Sequence, residues 1–134
     1  MGIANTKITL DNPRDDSINP IQVNALADSG ALFLCVPEHI ANQLKLKETS
    51  KREITTADGK RSLCPYVGPV HVRFDQNREC YVGAIVLGDE VLLGAVPMED
   101  MDLVVNPARR ELTVDPSSPN IPHARVKWLS KPTG

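Results

Sequence analysis

Apolar runs in this chain are short, because 11 prolines and 8 glycines spread along its 134 residues keep interrupting them. Val, Ile and Leu fill the runs in between, which suits half-buried strands better than long helices. The chain therefore reads as a mainly β domain. With 41% hydrophobic content there is material for one core and not for two.

Segments 6–10 and 21–27 read as strands separated by the turn-rich stretch 11–20. The second runs into Asp28-Ser29-Gly30, and 31–36 is apolar enough for another buried strand. Pro37 suits a first helical position with Glu38 beside it, and Ile40, Ala41, Leu44 and Leu46 recur at helical spacing, predicting a short amphipathic helix. Lys45, Lys47, Lys51 and Arg52, interleaved with Glu48 and Glu53, read as a solvated face. Segments 54–56 and 66–74 flank Ala57-Asp58-Gly59-Lys60-Arg61, where Asp-Gly favours a tight turn, so a hairpin with a polar tip is expected. A second hairpin is expected from 80–87 and 90–93 around Gly88-Asp89.

Segment 97–102 predicts one helical turn, with Met98 and Met101 as core contacts and the acidic Glu99, Asp100 and Asp102 at a helix start or in solvent. Strands at 103–105 and 111–114 flank the turn 106–110. Pro116, Pro119 and Pro122 exclude regular structure after Asp115, while Ala124, Val126 and Trp128 alternate with Arg125 and Lys127 as a candidate final strand. The expected organisation is one domain over 1–115 and a Pro-rich extension over 116–134.

Composition removes several function classes. With 15 basic against 17 acidic residues and a net charge of -2, no broad positive field draws in nucleic acid or a membrane surface. The first residues lack a basic leader and a continuous apolar segment, which points to a cytoplasmic protein. Met1-Gly2 with Thr6 formally fits a myristoylation pattern, but so short a match carries little weight. Cys35, Cys64 and Cys80 have neither zinc-site nor redox spacing and read as reduced, structural thiols. His39, His71 and His123 are scattered, with structural or surface roles. Neither a metal nor a cofactor is expected.

Asp28-Ser29-Gly30 is the motif with chemical content. Alone it is weak, since such a tripeptide arises by chance in roughly one chain in fifteen to twenty of this length. Its place between two apolar segments adds weight, because a surface turn does not normally sit there. Gly30 lets the backbone turn tightly and brings its N–H to the carboxylate, and the Ser29 hydroxyl can lock the loop by hydrogen bonding. A single carboxylate cannot both accept a proton from water and donate one to a substrate. The sequence has no second Asp-(Ser/Thr)-Gly, so the second aspartate would come from another copy across a twofold axis.

The order of motifs resembles the single-domain, retropepsin-like aspartic proteases, especially their soluble bacterial members. The resemblance rests on Leu26-Ala27-Asp28-Ser29-Gly30-Ala31, then Val36-Pro37-Glu38-His39-Ile40-Ala41, then Ala57-Asp58-Gly59 with Gly68-Pro69-Val70, and finally Val91-Leu92-Leu93-Gly94-Ala95-Val96-Pro97 continuing through Met101-Asp102-Leu103-Val104. These blocks span about residues 20 to 115. The resemblance implies a closed acid-protease-type β-barrel with a flap hairpin and one or two short helices, one lobe per chain. It implies an aspartic endopeptidase that hydrolyses peptide bonds as a homodimer. Asp28 becomes the catalytic group, and Ser29, Gly30 and Ala31 the active-site loop. Ala57, Asp58, Gly59, Lys60 and Arg61 become the flap over a peptide or protein substrate, and Leu92, Leu93 and Gly94 the support behind the loop. It also implies two carboxyls sharing a proton over an acidic-to-neutral window, and a terminal strand that pairs across the dimer.

Two positions depart from the family pattern. Ala27 stands where a larger aliphatic residue is frequent, and Leu32 where viral members carry a polar substrate contact. A different function class stays open beside the enzyme: a dimer of the same fold that binds peptides or proteins without cutting them.

Overall fold

The computed structural model of the chain describes residues 2–124 and 126. Its elements run β1 (Ile3–Asp11), β2 (Ile21–Asp28), β3 (Leu34–Val36), α1 (Glu38–Gln43), β4 (Glu48–Thr55), β5 (Arg61–Asp75), β6 (Arg78–Val86), β7 (Val91–Leu93), α2 (Ala95–Asp100), β8 (Leu103–Asn106) and β9 (Glu111–Val114). The main sheet has the order β1-β2-β7-β3-β6-β5-β4, and Thr9–Asp11 of β1 also pair with Arg73, Val72 and His71 of β5. That extra pairing closes six strands into a barrel and leaves β4 outside it, while β8 and β9 form a separate hairpin. The expected β-barrel with short helices is what the chain forms.

Alternation along the strands fills the barrel. Ile8, Leu10, Leu34, Val36, Val70, Val72 and Leu93 are all fully buried, and each such aliphatic side chain contributes roughly 1.5–3 kcal/mol. Helix α1 buries Ile40 and Ala41, with Leu44 beneath its end. Its last turn is tied to the β1–β2 connection, where the Asn12 side-chain amide donates to the Leu44 carbonyl at 3.0 Å and the Lys45 carbonyl at 3.3 Å. Met98 and Met101 are core residues, as their spacing predicts.

Three expectations need correction. The segments at 80–87 and 90–93 do not form a hairpin: β3 lies between β6 and β7, parallel to the first and antiparallel to the second. Of the expected buried strand over 31–36 only Leu34–Val36 is strand, and Leu32 is 57% exposed. The mixed-charge run is solvated as expected, yet from Glu48 onward it is strand β4, exposed along almost its whole length. The expected tail strand over 124–129 lies outside the described residues apart from Ala124 and Val126.

Two buried polar side chains brace the barrel. His71 of β5 faces Asp11 of β1 through Nδ1 at 3.0 Å and Glu79 of β6 through Nε2 at 2.5 Å, with Tyr81 stacked on its ring at 4.6 Å. These contacts sit at the closure of the barrel. Arg78 is only 1% exposed, and its guanidinium donates to the carbonyls of Met101 at 3.1 Å, Asp102 at 3.3 Å and Ser118. The Asp102 carboxylate stands 3.9 Å from it and also accepts the Ser118 hydroxyl and the His123 N–H. The segment after β9 is thereby strapped to the barrel through one buried cation.

Removing that cation strands three carbonyls, two of them in buried contacts. Arg78→Met is expected to cost about 2–4 kcal/mol, read as a lower urea midpoint with unchanged slope. The Ser118 hydroxyl and the His123 N–H hold the Asp102 carboxyl below its usual range. A lowered folded-state pKa adds stability that is present above the unfolded-state value and lost as pH falls through the folded one. The stability difference between wild type and Asp102→Asn should therefore be level from about pH 5 to 7 and shrink below about pH 4 in pH-dependent urea titrations.

Candidate active site

Asp28 is the last residue of β2, opposite Ile3 of β1 and one step beyond the parallel pairing of Ala25, Ala27 and Leu26 with β7. Past it the chain turns sharply. The Gly30 N–H donates to Asp28 Oδ1 at 2.8 Å, and the Ala31 N–H donates to the Asp28 carbonyl at 3.1 Å. Ser29 is fixed from the other side: its N–H donates to the Gly2 carbonyl at 3.1 Å, and its Oγ accepts the Gly2 N–H at 2.9 Å. The carboxyl group is half-buried at the base of an exposed loop.

The loop is held from behind by the start of α2. The Ala95 N–H donates to the Ala31 carbonyl at 2.8 Å and the Val96 N–H to the Leu32 carbonyl at 2.9 Å. Gly94 makes this approach possible: a Cβ there would lie 2.5 Å from the Phe33 carbonyl oxygen and 2.6 Å from the Leu32 carbonyl carbon. Leu93 is fully buried beside Ala27, and Leu92 faces the cleft in front of the loop. Ala27 is itself completely buried.

A cleft of about 500 Å³ opens over Asp28. One wall is Gly30 to Phe33 with Cys35, another is 53–57 from the β4–β5 hairpin, and Ile85, Leu87 and Leu92 form the back. It is an apolar trough with a carboxylate in its floor. A second cavity of about 510 Å³ lies behind Ser29, between Gly2, α2 and β8, and Asp28 does not line it.

The hairpin tip is built as the Asp-Gly signal predicts. Gly59 takes φ 85°, the Gly59 N–H donates to the Thr56 carbonyl, and Asp58 accepts from the Thr56 hydroxyl at 2.5 Å and the Lys60 N–H at 3.1 Å. These bonds hold the Asp58 carboxyl below its usual range, which is turn chemistry. Ala57 reaches the cleft wall; Asp58, Gly59, Lys60 and Arg61 stay outside it, and Arg61 pairs with Glu53 at 3.6 Å in solvent.

Sequence reasoning did not single out Phe33, Ile54, Ile85 or Leu87 as cleft residues, since an apolar residue in a strand carries no mark of the face it lines. Gly2 escaped for a different reason: its contact with Ser29 uses only backbone atoms on its side. Cys35, in β3, is half-buried on the cleft wall, and burial pushes its thiol up. Burial also pushes Cys80 up to about 12. Both are held in the thiol form, which is a poor nucleophile.

Because the atoms a Cβ on Gly94 would meet are backbone, they cannot swing away. Gly94→Ala should cost about 1–3 kcal/mol and displace the 31–33 loop, visible as a lowered melting temperature and as shifted amide resonances at Gly30 and Ala31.

No protein-family model and no curated protein matches this chain. Solved structures do. The retroviral protease-like domain of Ddi1 from Leishmania major aligns with a TM-score of 0.53 at 13% identity, covering 94% of this chain and 98% of that one. The simian foamy virus (mac) protease aligns at 20% identity and TM-score 0.43, covering 69% of this chain and 91% of that one. A retropepsin-like aspartic protease from Rickettsia conorii aligns at 21% identity and TM-score 0.36, covering 69% and 78%. The first of these alignments takes in nearly the whole of both chains, and with the closed barrel described above it shows that the chain has a retropepsin-like fold.

Proposed function

We propose that this chain is an aspartic endopeptidase whose active unit is a homodimer, with Asp28 of each copy forming the catalytic pair. The observation that carries the proposal is the placement of Asp28. It ends a core strand, its Oδ1 is held at 2.8 Å by the Gly30 N–H, and it forms the floor of a cleft roofed by the β4–β5 hairpin. Glu53, the other carboxylate on the cleft lining, sits on the hairpin and pairs outward with Arg61. A partner for Asp28 in acid–base chemistry is therefore best supplied by a second copy.

In that dimer the two carboxyls hold one proton between them, because like charges in contact do not both ionise. The ionised group takes a proton from a bound water as it attacks the peptide carbonyl, and the protonated group donates to the carbonyl oxygen. As the C–N bond breaks, the carboxyl that took the water proton gives it to the departing amine nitrogen, and the other takes a proton back from a hydroxyl of the tetrahedral intermediate, which restores the pair. Ser29 braces the two loops, and the hairpin with Ala57 near its tip acts as a flap. Support comes from the retropepsin-like fold and from the backbone grip on the 28–32 loop by Gly2 and α2.

Sedimentation of wild type and Asp28→Asn, with cleavage assays on mixed peptides with and without a pepstatin-type inhibitor, tests this. The expected result is a dimer in both proteins, inhibitor-sensitive cleavage by wild type, and a loss of roughly 10²–10⁴-fold in the variant. Cleavage that survives the substitution, or a stable monomer, would sink the proposal; a dimer that binds peptides but cuts none would assign the fold to recognition instead. Residues 116–134 are assigned as an extension whose 124–129 stretch pairs across the dimer. Truncation after His123, which spares the Ser118 strap, is expected to weaken the dimer, and an unchanged monomer–dimer midpoint would remove the tail from the interface.

A further inference from the structure

Arg52 lies on β4, two residues before Ile54, and side chains two apart on a strand share a face. Ile54 lines the cleft over Asp28. The Arg52 guanidinium carbon lies over two rings there, 4.2 Å from the centroid of Tyr66 and 5.5 Å from that of Phe33. Phe33 belongs to the cleft wall and meets Tyr66 edge-on at 6.5 Å. Tyr66 is locked in turn, since its hydroxyl fills the space over Gly83 where a Cβ would sit. The cation is thus oriented by aromatic groups at the rim of the cleft.

A guanidinium held over aromatic rings by cation–π attraction still has N–H groups that can donate to a carboxylate. Among the described residues none supplies one: Glu48 pairs with Lys51 at 3.1 Å and Glu53 with Arg61 at 3.6 Å, and Arg52 forms no ion pair. Arg52 is exposed. A flexible surface arginine would lose side-chain entropy on binding, whereas this one has already lost much of it.

We propose that Arg52 is a specificity-determining residue that receives the carboxylate of an aspartate or glutamate side chain in a peptide lying along the Asp28 cleft, while apolar neighbours of that residue pack on Phe33 and Ile54. The cleavage form of this inference rests on the peptidase reading; the binding form does not.

The test scans one glutamate, against glutamine, through each position of an otherwise apolar peptide. Cleavage by wild type, Arg52→Gln and Arg52→Lys gives kcat/KM, and fluorescence anisotropy on the same peptides with Asp28→Asn, alone and combined with Arg52→Gln, gives Kd without turnover. At one position glutamate should be favoured over glutamine by about tenfold in both readouts, less so at high salt. The preference should vanish in Arg52→Gln, survive in part in Arg52→Lys, and leave the glutamine peptides unaffected. Equal handling of glutamate and glutamine at every position, or a preference that survives Arg52→Gln, overturns the inference even if cleavage is robust. A glutamate preference in binding with no cleavage sinks the peptidase reading and leaves the role of Arg52 standing. Absence of both binding and cleavage overturns both.

Discussion

The parallel pairing of Ala25, Leu26 and Ala27 with Val91, Leu92 and Leu93 is the contact on which the site depends. It is short and joins segments far apart in the chain, so it draws its strength from the core on either side rather than from a connecting turn. On one strand it ends at Asp28. On the other it ends at Gly94, whose bare α-carbon lets the following amides reach the 31–32 backbone. A carboxylate and the scaffold that immobilises its loop thus emerge together from one pair of strand ends.

The two large polar side chains in the interior, His71 and Arg78, each join several elements. His71 links three strands where the barrel closes, and Arg78 joins α2 and β8 to the segment after β9. No buried side-chain nitrogen or oxygen among the described residues lacks a partner. The exposed pairs, such as Lys51 with Glu48, contribute little by comparison, about 0–1 kcal/mol each. Stability is therefore concentrated away from the cleft, and the loop at Asp28 is exposed and held chiefly by backbone bonds.

Much of this was legible in the sequence for physical reasons. Strands such as β1, β2 and β5 bury a face, and the period-2 pattern announces them. The Asp58-Gly59 turn announces itself by its backbone demand, and Met98 and Met101 by their spacing. Strand β4 buries almost nothing, so no alternation marks it. The placement of β3 between β6 and β7 was hidden because adjacency in sequence suggests a hairpin, while a non-local pairing leaves no local sign. The buried role of Arg78 was equally invisible: an arginine reads as surface until the carbonyls around it are known. At the site, Asp28 and Gly30 could be read from their chemistry, but the aromatic cradle around Arg52 depends on three elements meeting.

Strand β4 also ends the main sheet, so one of its sides carries backbone groups that no strand among the described residues satisfies. Such an edge invites other chains to add on, the first step toward fibrils. Here four of its eight residues are charged, Lys51 and Arg52 flanked by Glu48 and Glu53, and almost none of its surface is apolar. A second β4 laid against it would have to bring desolvated charges together at close range. The run that looks like mere solubilising sequence thus keeps a naked strand edge soluble, and leaves it open only to a partner whose charges fit.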